Sequence, residues 1–541
     1  MASRLALVLA IGCVLRPIVA NPPSPSIAVT TAQPLVGDAW PADLTAEAAS
    51  SPATSLADKT ELALAFVRKQ LKAYAVPGLA VSVVYKNKTV LSQGVGTNEA
   101  NAPVTDKSVF QIGSYSKTFI AVAIAKLVDE KKLTWQDPVK AHLPSFRLAD
   151  KYAEEHTTLG DLAGMNSVLG FHEGDLAAFF DVHGSEKGLV AALGELQTAR
   201  SFRAGHAYSN LNYAILGQVI EAVTAKSWPD YLRATFWSPL GMNDTVGRPA
   251  DSSALLSSGH FVCGDKVLGP FDLHNASMVA LRPRNDYFAA GSILSSVSDL
   301  SKFTRFLLNK GKGIFSSDAA VSELITGHTI ASPSTQDGLA HVGLTYSRDG
   351  NSLTAGYGFD VVGDVAFGHH YFDKAGDTLA HQTRNGFVPD HDLGVVVVAN
   401  AIPVGGKTSA QVYLDLIRSY IVGVFLDVPI ATLNKRHNAI VTALDASPPA
   451  PCDPHYFEGK SWETPGLDIS NRTKILLNGT YHAAVSPGFY GTAKIFSQGN
   501  DLCPQPTQKY RDQIVFACFR QNSFNARFQS RCAGVSPGRN D

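Results

Sequence analysis

The chain has 541 residues, 45% of them hydrophobic, enough to bury a large core and too many for one small domain. Its 46 basic and 47 acidic side chains leave a formal charge of -1, and no long run of one sign occurs. That balance argues against a basic nucleic-acid face and against a polybasic membrane anchor.

At the start, Arg4 precedes an apolar run from Leu5 to Leu15, Arg16-Pro17 breaks it, and Ala20 ends the segment on a small residue. This layout reads as a secretory signal peptide over 1–20, and the run is shorter than the roughly 20 residues of a spanning helix. The expected location is extracellular. Residues 21–57 are rich in Pro, Ser, Ala and Thr and read as a linker or disordered arm. From Asp58, Leu62, Phe66, Val67 and Leu71 recur at helical spacing. Leu79–Tyr85 and Thr89–Gly94 read as strands around a Lys86-Asn87-Lys88 turn. Ser116–Lys131 is apolar nearly all round and predicts a buried helix. Leu211–Val223 and Ser298–Leu308 are the clearest helices of the middle. Thr378–Gln382 and Leu393–Asn400 read as strands flanking a loop with Gly386 and Pro389.

Helix and strands, then many helices, then strands describe an α+β domain, placed at 58–429. A composition change at Pro448, Pro449 and Pro451 sets off a small β-rich domain over 430–541. Cys452, Cys503, Cys518 and Cys532 crowd that segment, predicting two disulfides in any of three connectivities and leaving Cys263 as a buried free thiol. Sequons at Asn87, Asn243, Asn275, Asn471 and Asn478 fit an exported glycoprotein.

Three elements carry chemistry. In Gly113-Ser114-Tyr115-Ser116-Lys117-Thr118, Ser114 opens the long helix and Lys117 falls one turn later on the same face. A serine hydroxyl is a weak nucleophile until a base takes its proton, and a desolvated lysine can be that base. Next comes Tyr208-Ser209-Asn210, a phenol able to pass a proton and an amide able to bind a carbonyl or Lys117. The third lies at His381-Gln382-Thr383, where a strand edge could supply an oxyanion donor.

In this order the elements resemble the serine β-lactamase-related family in its class C-like branch, which includes penicillin-binding proteins, D-aminopeptidases and esterases. The resemblance covers about residues 58–425. Ser114 and Lys117 match its Ser-x-x-Lys motif, and Tyr208 and Asn210 match its Tyr-x-Asn motif. Further similarity runs through Val109–Ser114, Leu133–Phe146, Tyr208–Gly217, Leu240-Gly241-Met242 and Ala290–Ile293. The third motif, Lys-Thr-Gly or His-x-Gly, is assigned to His381-Gln382-Thr383, which lacks the glycine. The family's His-Thr-Ser-Gly turn is replaced by Gly164-Met165-Asn166-Ser167.

The resemblance implies a β-lactamase-like transpeptidase fold, an antiparallel sheet flanked by helices with a helical subdomain. It also implies Ser114, Lys117 and Tyr208 as catalytic groups, and Asn210, His381 and Thr383 as substrate-binding ones. The oxyanion donors would be the backbone N–H groups of Ser114 and Arg384. No metal or other cofactor is implied. The expected activity is acyl-enzyme hydrolysis of an amide, lactam or ester in a small molecule or short peptide, esterase- or peptidase-like rather than a dedicated β-lactamase. Leu477–Tyr481 and Gly488–Gly491 loosely resemble the lipocalin-like barrel that some members carry.

Other classes fit less well. No Gly-x-Ser-x-Gly elbow of an α/β-hydrolase is present. His369-His370 and Asp390-His391-Asp392 lack metal-ligand spacing and read as solvated surface. A secreted scaffold that retains the fold but hydrolyses little is the reading from a different class.

Overall fold

The computed structural model describes residues 55–450 and 479–525, apart from 99–101, 180, 199, 254–255, 272, 274–285, 332, 346–351, 499–500, 508–517 and 521–522. The expected signal peptide and nearly all of the expected linker lie outside the described residues, as do Asn275, Asn471 and Asn478. The described residues fall into two compact units, one of 55–450 with Gly488–Tyr490, and one of the rest beyond 479.

The first unit is built on a nine-stranded sheet with antiparallel pairings throughout. In chain order its strands are β1 (Gly78–Tyr85), β2 (Lys88–Gly96), β3 (Thr329–Ile330), β4 (Thr354–Gly356), β5 (Phe359–Ala366), β6 (His369–Asp373), β7 (Gly376–Asp377), β8 (Gln382–Val388) and β9 (Leu393–Ala399). Across the sheet they run β2-β1-β9-β8-β6-β5-β4-β3, with β7 also paired to β8.

Strand β9 is central because its valine run can be buried on both faces. Val396 and Val398 join one apolar core, and Val395 and Val397 join the other, as the two-residue repeat of a strand requires. Each fully buried valine contributes about 1.5–3 kcal/mol.

Over one face lie α1 (Leu56–Ala73) and α5 (Tyr413–Phe425). Ser55 and Asp58 cap α1 reciprocally, and Phe66 stacks on Tyr420 at 3.7 Å between ring centres. Over the other face lie α2 (Ser116–Asp129), α3 (Asn210–Thr224) and α4 (Val297–Leu308). Phe119 of α2 and Phe303 of α4 stack at 4.1 Å. The expected all-round burial of the long helix is observed, from Ser116 to Ala125.

Two boundaries differ from expectation. Helix α6 (Ile430–Asp445) belongs to the first unit: Asp445 accepts bonds from the Ser409 N–H and hydroxyl, and the Tyr420 hydroxyl donates to Asn434. The change at 430 is therefore the approach to one more packed helix. Gly386, expected in a loop, lies inside β8, where a β-carbon would meet the Tyr371 ring at 2.7 Å. Cys263, expected free, is disulfide-bonded.

In the second unit, Gly479–His482, Thr492–Gln498 and Asp501–Thr507 form a three-stranded antiparallel sheet, and Cys518–Arg520 pairs with Ser523–Asn525. Among the described residues, no helix is long and apolar enough to cross a membrane.

Candidate active site

Ser114 sits in a single 3-10 turn, Gly113–Tyr115, that runs directly into α2. The turn depends on Gly113, whose φ is +53° and whose missing β-carbon would lie 2.8 Å from the Asp377 nitrogen of β7. Lys117 follows in the first turn of the helix, where no water reaches it. Its Nζ lies 2.9 Å from Ser114 Oγ, 2.7 Å from Asn210 Oδ1 and 2.7 Å from the Ala290 carbonyl oxygen. Tyr208, on the loop ahead of α3, donates its phenol proton to Ser114 Oγ at 2.6 Å. Asn210 opens α3 and donates from Nδ2 to Asp175 at 2.7 Å, which turns its carbonyl toward Lys117. Lys117, one turn along the helix, and Tyr208, 94 residues away, therefore meet at one hydroxyl.

Burial decides the protonation states. Desolvation holds the Lys117 amine well below the usual lysine range, and the nearby Lys374 charge acts in the same direction. A neutral amine has two protons, which Asn210 Oδ1 and the Ala290 carbonyl can accept, and one lone pair, which is left for Ser114. Desolvation pushes the Tyr208 phenol well above its usual value, with Asp360 adding to the shift, so it rests protonated. The pair is thus a free base and a proton donor on the two sides of one oxygen.

A second buried lysine completes the wall. Lys374 pairs with Asp360 at 2.7 Å, bonds the Ala375 carbonyl at 2.9 Å, and stands 3.4 Å from the Tyr208 hydroxyl. It occupies the break between β6 and β7, two segments that share β8 as their neighbour. Asn385 of β8 bridges the break, accepting from the Lys374 N–H at 2.9 Å and donating to its carbonyl at 2.7 Å.

Comparison with known proteins places the chain in a family. A family model described as Beta-lactamase matches residues 64–415. The chain belongs to the Beta-lactamase family. Among curated relatives it is similar to Unguisins hydrolase ungD' of Aspergillus campestris, at 28% identity over 49% of this chain and 50% of that one. Penicillin-binding protein 4 of Amycolatopsis lactamdurans is 30% identical over 44% of this chain and 60% of its own. The chain thus spans about half the length of the curated relatives it matches. The octameric penicillin-binding protein homologue from Pyrococcus abyssi superposes with a TM-score of 0.56 at 20% identity, covering 86% of this chain and 94% of that one, a likeness of fold.

The triplet that lies against the nucleophile turn is not the one the sequence suggested. Lys374-Ala375-Gly376 has the Lys-x-Gly pattern and lies against the nucleophile turn: a β-carbon on Gly376 would be 2.0 Å from the Ile112 carbonyl and 2.9 Å from the Tyr115 nitrogen. The expected triplet sits in and after the turn from β7 into β8, one strand further back. His381 is fully buried, its Nε2 3.1 Å from the Ser257 carbonyl, with burial pulling its pKa down to about 3. Thr383 is sealed from solvent, paired with Gly376. Arg384 spends its side chain on Asp377 and Asp415, and its backbone pairs with Val397 of β9. The side-chain bonds of His381 and Arg384 go elsewhere than Ser114, and β7 lies against the nucleophile turn in the place assigned to the triplet. The sequence signal for the triplet at the turn is Lys374-x-Gly376, masked because alanine stands where the Lys-Thr-Gly pattern has threonine. At the other altered turn, Ser167 donates to Asn212 at 2.8 Å and Met165 lies in the core. His369 and His391, read as solvated surface, face each other at 3.1 Å.

Proposed function

We propose that the chain is a serine hydrolase working through an acyl-enzyme on Ser114. The family and its hydrolase and penicillin-binding relatives support a serine hydrolase in general. The observation that carries the residue roles is the pair of bonds on Ser114 Oγ, 2.9 Å to Lys117 and 2.6 Å to Tyr208. Lys117 takes the hydroxyl proton as Oγ attacks an amide or ester carbonyl, and Tyr208 relays it to the leaving nitrogen or oxygen. The oxyanion is received by the backbone N–H groups of Ser114 and Asp377, the two that the bare Gly113 allows close together. Lys374 fixes the phenol and faces acidic substrate groups. Water then releases the acid. The substrate class is small esters or short peptides, and the signal-like layout of residues 1–20 supports export.

An active-site serine probe tests this, with mass-spectrometric mapping of the modified peptide. Labelling at Ser114 that disappears in Ser114→Ala is the expected result. Equal labelling of both proteins rejects it.

A further inference from the structure

Acylation leaves a second problem, activation of the water that must cleave the Ser114 ester. Lys117 stays on the Oγ side, tied to Asn210 and Ala290. The Tyr208 phenol is protonated. Next to Tyr208 lies a group that the roles above leave unused. The His172 ring packs 5.2 Å from the Tyr208 ring, and the His172 N–H donates to the Tyr208 carbonyl at 2.9 Å. Its Nδ1 bonds Asp175 Oδ2 at 2.6 Å, and that carboxylate is buried and also receives Asn210 Nδ2.

A carboxylate can only accept, so Nδ1 carries a proton, and the neutral form of such a ring offers its lone pair at Nε2. The ring keeps 18% of its side-chain surface exposed, so water can approach it. The backbone supports this placement at a cost. His172 has φ +54°, a left-handed conformation uncommon for a side chain that is not glycine, asparagine or aspartate. Gly174 holds φ +80° and donates its N–H to the Tyr490 hydroxyl at 3.1 Å. Its bare α-carbon leaves room for Phe489, whose ring a β-carbon would meet at 3.2 Å.

We propose that His172, oriented by Asp175, is the base that activates the deacylating water, an inference that rests on the hydrolase reading above. Water oxygen bonds the acyl carbon as its proton passes to His172 Nε2. The tetrahedral intermediate then collapses with cleavage of the carbon–Oγ bond. Tyr208 hands its proton to Ser114 Oγ and regains one from the new carboxyl group, while His172 releases its proton to bulk water. The products are a carboxylate, one proton and free Ser114.

The test uses a p-nitrophenyl ester on the full chain, with single-turnover acylation by rapid mixing, steady-state turnover, and intact mass of the quenched enzyme. His172→Asn, which tolerates the left-handed backbone, and His172→Gln should acylate within about threefold of wild type. Turnover should drop roughly 10²-fold, the scale of general-base catalysis. Acyl-enzyme should accumulate on Ser114, and added imidazole should restore part of the rate. Wild-type turnover in both variants overturns the proposal. Loss of acylation in both also overturns it, by assigning His172 to the first step or to folding. A wild type that never labels on Ser114 overturns the hydrolase reading and this proposal with it.

Discussion

Two lysines flank the Tyr208 ring at nearly equal range, 4.9 Å for Lys117 and 5.0 Å for Lys374, and both are buried. Their surroundings differ in one respect. Lys374 has a carboxylate, Asp360, at 2.7 Å. Lys117 has only neutral oxygens within hydrogen-bond reach. An ammonium without a counter-ion in a dry site is unstable, so Lys117 gives up its proton, while Lys374 is held as half of an ion pair. In the proposed mechanism one residue type thus serves as base and as ion-pair partner, with the nearest carboxylate setting the difference.

Removing the base should have the largest effect. Lys117→Met should lower kcat/KM by about 10³-fold or more, because it removes the proton acceptor of the first step. Lys374→Met should cost roughly 10–100-fold, since it removes a charge beside the phenol and leaves the Lys117–Ser114 pair in place. Equal losses in steady-state ester hydrolysis would erase the distinction between them.

Gly376→Ala should come next, at roughly 10-fold to 100-fold. Its β-carbon would fall 2.0 Å from a backbone carbonyl that cannot swing aside, so β7 must shift away from the Ser114 turn. An unchanged rate would mean that β7 supplies no oxyanion donor.

The pH profile sharpens the comparison further. Only neutral Lys117 can accept the Ser114 proton. Its pKa lies well below the usual lysine value, so kcat/KM should fall only as pH drops through that lowered value and stay level above it. The Asp175 charge favours the ammonium form, so Asp175→Asn should move this acid limb to lower pH. An upward shift would place the controlling group elsewhere.

What could be read in the sequence follows from how local each signal is. The α2 and β9 patterns are local, and so is the one-turn spacing of Ser114 and Lys117. Tyr208-x-Asn210 was readable as a motif, though its meeting with Ser114 needs the fold to bring 94 residues of separation together. The Lys374 motif was hidden by a single substitution. Asp175, which turns Asn210 toward Lys117, has no sequence signal, because one acidic residue on a short helix carries no pattern. His381 misled because a histidine just before a strand of mixed polar and apolar residues gives no sign of which way it faces.

That histidine supplies the smallest expected effect on activity. Folding holds His381 neutral, with a pKa of about 3 caused mainly by burial, against about 6.5 in the unfolded chain. Between those values the unfolded chain binds a proton that the native state refuses. Stability is therefore fully present above about pH 6.5 and is lost as pH falls toward 3. His381→Gln keeps a donor for the Ser257 carbonyl and removes the titrating ring. Its ester hydrolysis at neutral pH should stay within about twofold of wild type, while the drop in urea midpoint between pH 7 and pH 4 becomes shallower. A large loss of turnover with an unchanged acid slope would return His381 to the active site and remove the contrast with Lys374.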